Sequence, residues 1–261
     1  MELVFLGTGA GNGVPEFYCN CDVCREARET PRYRRTRCAI ALCGEGNLLF
    51  DAPPELSSQL IRERISHIDC LFLTHAHHDH CAGLGDLELY ARFHLKDRLS
   101  SIMSAETLEE IERRFGAVRD WLKVDLLQPG ETLQRFGVCI TAVAAAHAPG
   151  TLGYIFGAGG GRTAYLPDTG PLCEETKELL NGIENLILDA TFWGENWFPT
   201  EHLAFEQTIE TARELKVGAL YLTHLSMHYG KPVTSRRIES AIECHGGAVR
   251  LACDGMRIFL G

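Results

Sequence analysis

No run in this 261-residue sequence is long and apolar enough to span a bilayer, and no basic segment leads into an apolar stretch at its start. The strand-like Leu3-Val-Phe-Leu6 comes at once, so a soluble cytoplasmic protein with no membrane partner is expected. Positive charge is scarce: 25 Lys and Arg stand against 35 Asp and Glu, a formal net charge of −10. That balance excludes a nucleic-acid binder that works through a broad basic face. One basic cluster stands out, Arg32-Tyr-Arg-Arg-Thr-Arg37, readable as a solvated loop or as a local anchor for a phosphate on a small substrate. Low-complexity sequence is missing too. With no linker to divide it, the chain reads as one domain over 1–261, of packed sheets covered by helices.

Cysteine is plentiful, but a disulfide framework is not. The count of 11 is odd, and Cys43, Cys70, Cys139 and Cys253 lie in apolar runs as small hydrophobes. Cys19-Asn-Cys21-Asp-Val-Cys24 differs, because three cysteines in six residues on a polar loop suggest thiolates gathered on a metal. A redox reading of Cys21 and Cys24 needs a thioredoxin-like context, which is absent.

Short β-favouring runs at 2–6, 37–43, 47–51, 68–74, 138–144, 152–156, 163–166, 185–189 and 218–223 read as strands. Helices are expected at 54–64, 84–94, 105–115, 173–181, 203–216 and 234–245. Gly157-Ala-Gly-Gly-Gly161 reads as a hairpin turn. Gly7-Thr-Gly9-Ala-Gly11-Asn-Gly13 has the look of a dinucleotide fingerprint, but Val14-Pro15 follows where a helix should open. It reads instead as a loop that lets backbone approach a neighbour or ligand.

What ends each strand is more telling. Leu48-Leu-Phe50 runs into Asp51, Leu71-Phe-Leu-Thr74 into His75, and Thr141-Ala-Val-Ala-Ala-Ala146 into His147. Thr163-Ala-Tyr-Leu-Pro167 delivers Asp168, Leu186-Ile-Leu188 delivers Asp189, and Leu220-Tyr-Leu-Thr223 delivers His224. Parallel strands ending on one rim would gather all six into a single site. In Leu-Thr-His-Ala-His-His-Asp-His, residues 73–80, alternation sets His75 and His77 on one side, with Asp79 and His80 further round the turn. Such a stretch can feed two neighbouring metal positions.

His75-x-His77-x-Asp79-His80 followed by His147, Asp168 and His224 resembles the ordered ligand set of the metallo-β-lactamase superfamily. The resemblance implies a four-layer αββα sandwich, of α/β (α+β) class. It also implies two divalent ions in the active site, one on His75, His77 and His147 and one on Asp79, His80 and His224, with Asp168 bridging. Imidazoles and carboxylates suit Zn²⁺, Mn²⁺ or Fe²⁺ and do not choose among them. Asp51 looks like an orienting partner of a ligand histidine. Two adjacent divalent ions lower the pKa of water and neutralise charge on attacked and leaving oxygens, which makes hydrolysis the natural reaction class.

Leu188-Asp189-Ala-Thr-Phe192 with Glu201-His202-Leu-Ala-Phe-Glu-Gln207 resembles the carboxylate–histidine pair of the phosphodiesterase branch, which includes tRNA 3′-processing enzymes. There His202 would contact the scissile phosphate and protonate the leaving oxygen, with Asp189 orienting it. His202, Asp189 and Asp79 are thus the residues assigned to catalysis. Gly7-Thr-Gly9, Gly13-Val-Pro15, the Cys19, Cys21 and Cys24 spacing, Tyr33-Arg-Arg35 and Cys38 resemble the PhnP family of phosphoribosyl 1,2-cyclic phosphate phosphodiesterases. The implied reaction opens 5-phosphoribosyl 1,2-cyclic phosphate to ribose 1,5-bisphosphate in phosphonate catabolism. The family also implies a structural zinc in the inserted loop 19–38, held by the three cysteines and a histidine after the last active-site ligand, and a homodimer. That histidine's usual position is Met227 here, which leaves His228 and Cys38 as fourth-ligand candidates. Arg34 or Arg35 would grip the 5-phosphate. Two alternatives stand beside this reading. A pyrroloquinoline-quinone B-like oxidoreductase shares the cysteine cluster, and a tRNA 3′-processing enzyme would need a substrate arm that is not found.

Overall fold

The computed structural model describes residues 1–158, 161–228 and 231–260. The N-terminal half supplies β1 (Glu2–Gly7), β2 (Ala39–Cys43), β3 (Asn47–Phe50), β4 (Cys70–Phe72), β5 (Leu99–Met103) and β6 (Leu122–Leu126). The C-terminal half supplies β7 (Thr132–Arg135), β8 (Val138–Ala144), β9 (Leu152–Ala158), β10 (Gly161–Leu166), β11 (Asn185–Asp189), β12 (Ala219–Thr223) and β13 (Val249–Leu251). A last strand, β14 (Arg257–Phe259), returns to the first sheet beside β1. The sheet orders are β14-β1-β2-β3-β4-β5-β6 and β13-β12-β11-β10-β9-β8-β7.

Side-chain alternation sorts each strand between two cores. Leu3, Phe5, Ile40, Leu42, Leu48 and Phe50 face Ile140, Tyr154, Phe156, Tyr165, Ile187 and Tyr221 of the opposite sheet. Their neighbours Val4, Leu6, Ala39, Ala41 and Leu49 point outward under the helices. Those helices are α2 (Leu56–Glu63), α3 (His78–Cys81), α4 (Leu84–Leu89) and α5 (Ala105–Phe115). On the second sheet Leu186, Leu188, Leu220 and Leu222 pack beneath α6 (Glu174–Leu180), α7 (Phe205–Glu214) and α8 (Ser235–Ile242). Strands with both faces buried read as near-continuous apolar runs, as Leu48-Leu-Phe50 does. The layers are therefore helix, sheet, sheet, helix, as the sequence resemblance implies.

Strand direction sets the site. β3, β4, β5 and β6 run parallel, as do β10, β11, β12 and β13. β8 is antiparallel to β9, which is antiparallel to β10, so β8 also points with β10. The two rims meet through Leu152 N donating to Thr74 O at 2.9 Å and the Tyr154 hydroxyl donating to Leu73 O at 2.7 Å.

Several expected elements shift. The strand expected at 68–74 is Cys70–Phe72, because Leu73 and Thr74 already turn toward the rim. The helix expected at 84–94 is α-helical to Leu89 and then widens into a π-helical turn, Tyr90–Leu95. The loop of the cysteine cluster contains a helix, α1 (Asp22–Glu29), which buries Val23, Cys24 and Ala27. The turn expected over Gly157–Gly161 falls on 159 and 160, outside the described residues.

Candidate metal and catalytic site

Asp51 leaves β3 and His224 leaves β12 with positive φ, 67° and 54°. Non-glycine residues seldom adopt that region, and where they do the surrounding contacts hold them there. At Asp51 those contacts are plain: its carboxylate accepts from Thr74 N at 2.8 Å, the Thr74 hydroxyl at 2.9 Å, His80 Nδ1 at 2.9 Å and the Tyr165 hydroxyl at 3.2 Å. The His80 proton on Nδ1 is thereby fixed and Nε2 turned to the rim. The Thr74 hydroxyl spends its hydrogen on Asp51, so it accepts from His75 Nδ1 at 3.0 Å and aims His75 Nε2 the same way. His147 Nδ1 donates to Glu201 O at 3.0 Å.

The imidazoles of His75, His77 and His147 then form one triad, with ring centres 4.6, 4.8 and 4.9 Å apart. A second set joins Asp79, His80 and His224: Asp79 Oδ2 lies 3.5 Å from His80 Nε2 and 3.4 Å from His224 Nε2. Asp168 stands between the sets, 2.6 Å from His80 Nε2, 2.8 Å from His224 Nδ1 and 3.7 Å from His75 Nε2. Yet His75 Nε2, His80 Nε2 and both Asp168 oxygens are buried without a well-formed hydrogen bond. Buried polar atoms left this way are costly unless something else satisfies them. Lone pairs converging on common points from neutral imidazole and carboxylate are a donor set that fits divalent cations. The residues present fit the implied pair.

Charge follows the same division. Burial lowers the basicity of His75, His77 and His147, and neighbouring imidazoles add to it (His80 beside His75, His147 beside His77, His202 beside His147), so this triad presents neutral imidazoles. Burial also opposes charge on Asp168 and Asp79, but the neighbouring His224 and His80 outweigh it and hold both carboxylates ionised. In return Asp168 raises His224 to about 10 against the pull of burial.

His202 lies beside this set. Its Nδ1 donates to Asp189 Oδ2 at 2.7 Å, and its ring centre is 4.7 Å from His147 and 5.4 Å from His224. Asp189 is held by Thr169 N at 3.0 Å and Thr191 N at 2.8 Å. Thr191 is a residue the sequence did not single out: its hydroxyl is 2.9 Å from His224 Nδ1 and 3.2 Å from His202 Nδ1. A threonine two residues after a strand-end aspartate carries no sequence signal for this. His77, Asp79, His147, Asp168, Thr191, His202 and His224 line a cavity of about 410 Å³, together with Gly11 and Asn12. A Cβ on Gly11 would come within 3.2 Å of Asp79 Oδ2, so this glycine lets the backbone lie against the ligand set.

At the cysteine cluster, Cys19, Cys21, Cys24 and His228 offer four ligand atoms within 4.8 Å of one another. His228 Nδ1 is 3.1 Å from Cys24 Sγ and 3.8 Å from Cys21 Sγ, while its Nε2 donates to Gly13 O at 2.7 Å. That hydrogen bond leaves Nδ1 as the ligand atom, and the donor types fit a Cys₃His zinc site. Cys38 is not part of it. Its thiol is buried 3.3 Å from the Thr223 hydroxyl, and Met227 packs in the core. Arg35, expected to grip a remote phosphate, is 2% exposed and donates to Thr8 Oγ1 at 2.8 Å and Ala252 O at 2.5 Å. Its guanidinium lies inside the fold. Arg34 Nε donates to Ala27 O at 3.2 Å.

Residues 46–225 match the model of the beta-lactamase superfamily domain, and the chain belongs to that family. It is similar to a solved diphosphatase from the PhnP family, at 27% identity and a TM-score of 0.85, covering 100% of this chain and 98% of that one. Coenzyme PQQ synthesis protein B of Methylobacterium radiotolerans is 29% identical over 73% of this chain and 73% of its own. An octanoyltransferase of Porphyromonas gingivalis is 28% identical over 87% of this chain, which spans 46% of that protein's length.

Proposed function

We propose that this chain is a metal-dependent hydrolase of a small phosphodiester. The observation that carries the reading is the Asp189–His202 pair, an oriented imidazole that shares the cavity with both ligand sets. Divalent ions held by His75, His77, His147, Asp79, His80, His224 and Asp168 would supply Lewis acidity and water of lowered pKa. The chain's own groups do the rest. Asp189 keeps the His202 proton on Nδ1 in the resting state, so Nε2 faces the substrate. Protonated, His202 neutralises charge on a phosphoryl oxygen and passes its proton to the departing alkoxide. Asp79 and Asp168 keep their carboxylates ionised in a buried site, which favours cations there over bare anions.

The preferred reacting end is a cyclic phosphate on ribose, as in 5-phosphoribosyl 1,2-cyclic phosphate, whose opening would give ribose 1,5-bisphosphate in phosphonate breakdown. Similarity to a PhnP-family diphosphatase supports phosphorus chemistry at this centre. Similarity to coenzyme PQQ synthesis protein B leaves an oxidoreductase-like role as the competing reading, against which the Asp189–His202 pair counts. A net charge of −10 weighs against tRNA as substrate. The test is ³¹P NMR of ribose cyclic phosphates with Mn²⁺-loaded protein. Conversion of the cyclic diester resonance to a monoester is expected; no conversion by protein with both active-site positions filled would refute the reading.

A further inference from the structure

We infer that Arg114, on the last turn of α5, positions His77 for its cation by holding the Ala76 carbonyl between His75 and His77. This rests on the reading of the site as cation-binding and not on the identity of the ester cleaved there. The other ligand imidazoles each have a partner that orients the ring: the Thr74 hydroxyl for His75, Asp51 for His80, Glu201 O for His147 and the Thr191 hydroxyl for His224. Among the described residues, the His77 ring has its one hydrogen-bond contact with His147, Nδ1 to Nε2 at 3.0 Å, and that partner belongs to the ligand set itself. The side chain is otherwise exposed. What aims His77 is therefore its backbone.

The carbonyls on either side of His77 are both held. His77 O accepts from His80 N at 3.0 Å and Cys81 N at 3.1 Å, at the start of α3. Ala76 O accepts from Arg114 Nη1 at 2.7 Å and from the Cys81 thiol at 3.3 Å. A thiol is a weak donor, whereas a bond from a guanidinium is about twice as strong as one between neutral groups. Packing does not replace it on this side. Ala76 and His77 border a second cavity of about 400 Å³, which Arg114, Glu106, Ala148 and Pro149 also line.

Helix α5 fixes the guanidinium in turn. Leu108 and Ile111 anchor the helix in the same core that takes Ala76. Glu110 precedes Arg114 by one turn and accepts from its Nε at 2.5 Å. The adjacent Arg113 donates to the same carboxylate, Nε to Oε2 at 2.7 Å, and its printed bonds end there. Two neighbouring arginines thus share one carboxylate, and one of them reaches the ligand loop. Were the Ala76 peptide to rotate, the His77 Cα–Cβ bond would turn with it. The ring would then leave His75 and His147, whose centres lie 4.6 and 4.8 Å away.

Equilibrium dialysis of the full chain against a series of Mn²⁺ concentrations, with bound ion counted by elemental analysis, reads the positioning directly. Arg114→Met keeps the aliphatic stem and loses the donors. The half-saturating Mn²⁺ concentration is expected to rise about 10- to 100-fold, the range for partners that orient a ligand. Arg114→Lys should restore most of the affinity, and Arg113→Met, which breaks an ion pair to the same Glu110, should leave it unchanged. After chelation, Arg114→Met should melt close to the unaltered chain, which places the loss in coordination and not in the fold. Unchanged Mn²⁺ affinity in Arg114→Met, or an equal loss in Arg113→Met, would overturn the inference. If the unaltered chain takes up no Mn²⁺, the cation reading and this inference fail together. If Mn²⁺ binds and weakens as expected while no phosphodiester is cleaved, the substrate reading alone fails and the role of Arg114 stands.

Discussion

His202 Nδ1 and Asp189 Oδ2 are 2.7 Å apart, joining the last residue of β11 to the residue three positions before α7. Neither residue belongs to the two ligand triads, so the pair is separable from cation binding by mutation. His202→Ala should lower turnover about 10²- to 10⁴-fold, the range for a lost general acid. Elemental analysis of the same variant should show full metal content. Unchanged turnover would remove His202 from the reaction.

Asp168 faces both ligand sets with buried oxygens that hydrogen bonding leaves unsatisfied. Asp168→Ala removes the shared carboxylate, and metal content at the active site should fall along with activity. Full occupancy by elemental analysis would contradict the shared role.

Thr191 is the test of indirect positioning. Its hydroxyl sits 2.9 Å from His224 Nδ1 and 3.2 Å from His202 Nδ1. Thr191→Val keeps the shape and loses the hydroxyl. Partners of ligand histidines typically contribute about 10- to 100-fold to metal affinity or activity, and a loss of that order is expected. Thr191→Ser should restore most of it.

A cation on the cysteine cluster would have a chemical readout. With the Cys19, Cys21, Cys24 and His228 site filled, its thiols are held as ligands, and a chelator frees them. Cys139, Cys173 and Cys244 are exposed and should react with a thiol reagent from the start. Cys70, which burial pushes up to about 12, should stay silent in the folded protein. Chelation should add the three cluster thiols; no added reactivity would argue against a cation there.

Asp254 gives a pH test away from the metals. Burial raises its pKa, although Thr36 N and Oγ1, at 2.8 and 2.7 Å, and the Thr8 hydroxyl, at 2.9 Å, all donate to it. An acid whose folded pKa is raised keeps its proton in the native state while the unfolded chain has lost it. Stability from this group is therefore fully present below the unfolded value, about 3.9, and declines as pH climbs through the folded value. The melting-temperature advantage over Asp254→Asn should shrink as pH rises from that range. An advantage that grows with pH would refute the assignment.

The six strand-end residues were legible because parallel strands leave their last residues on one rim, and that rule needs no knowledge of pairing. Helix α5 was legible to the residue: Ser104 accepts from Thr107 N at 3.1 Å and Gly116 closes the helix. β5 was not, since Leu99-Ser-Ser-Ile-Met103 puts serines where a buried strand is expected to be apolar. β13 and β14 have three residues each, too few for a period. Arg35 misled because a basic cluster in sequence says nothing of which guanidinium turns inward.

The ligand side chains come from two separately built halves of the polypeptide. His75, His77, Asp79 and His80 hang from the first sheet, while His147, Asp168 and His224 hang from the second. A cation bound across that seam is a cross-link, because the halves cannot part without breaking its coordination. Ligation at about a hundredfold excess over the dissociation constant adds about 2.7 kcal/mol to the folded state. Loaded with cations, this site would also rivet the sandwich, and the holoprotein should melt as one body where the chelated chain loosens along the seam first.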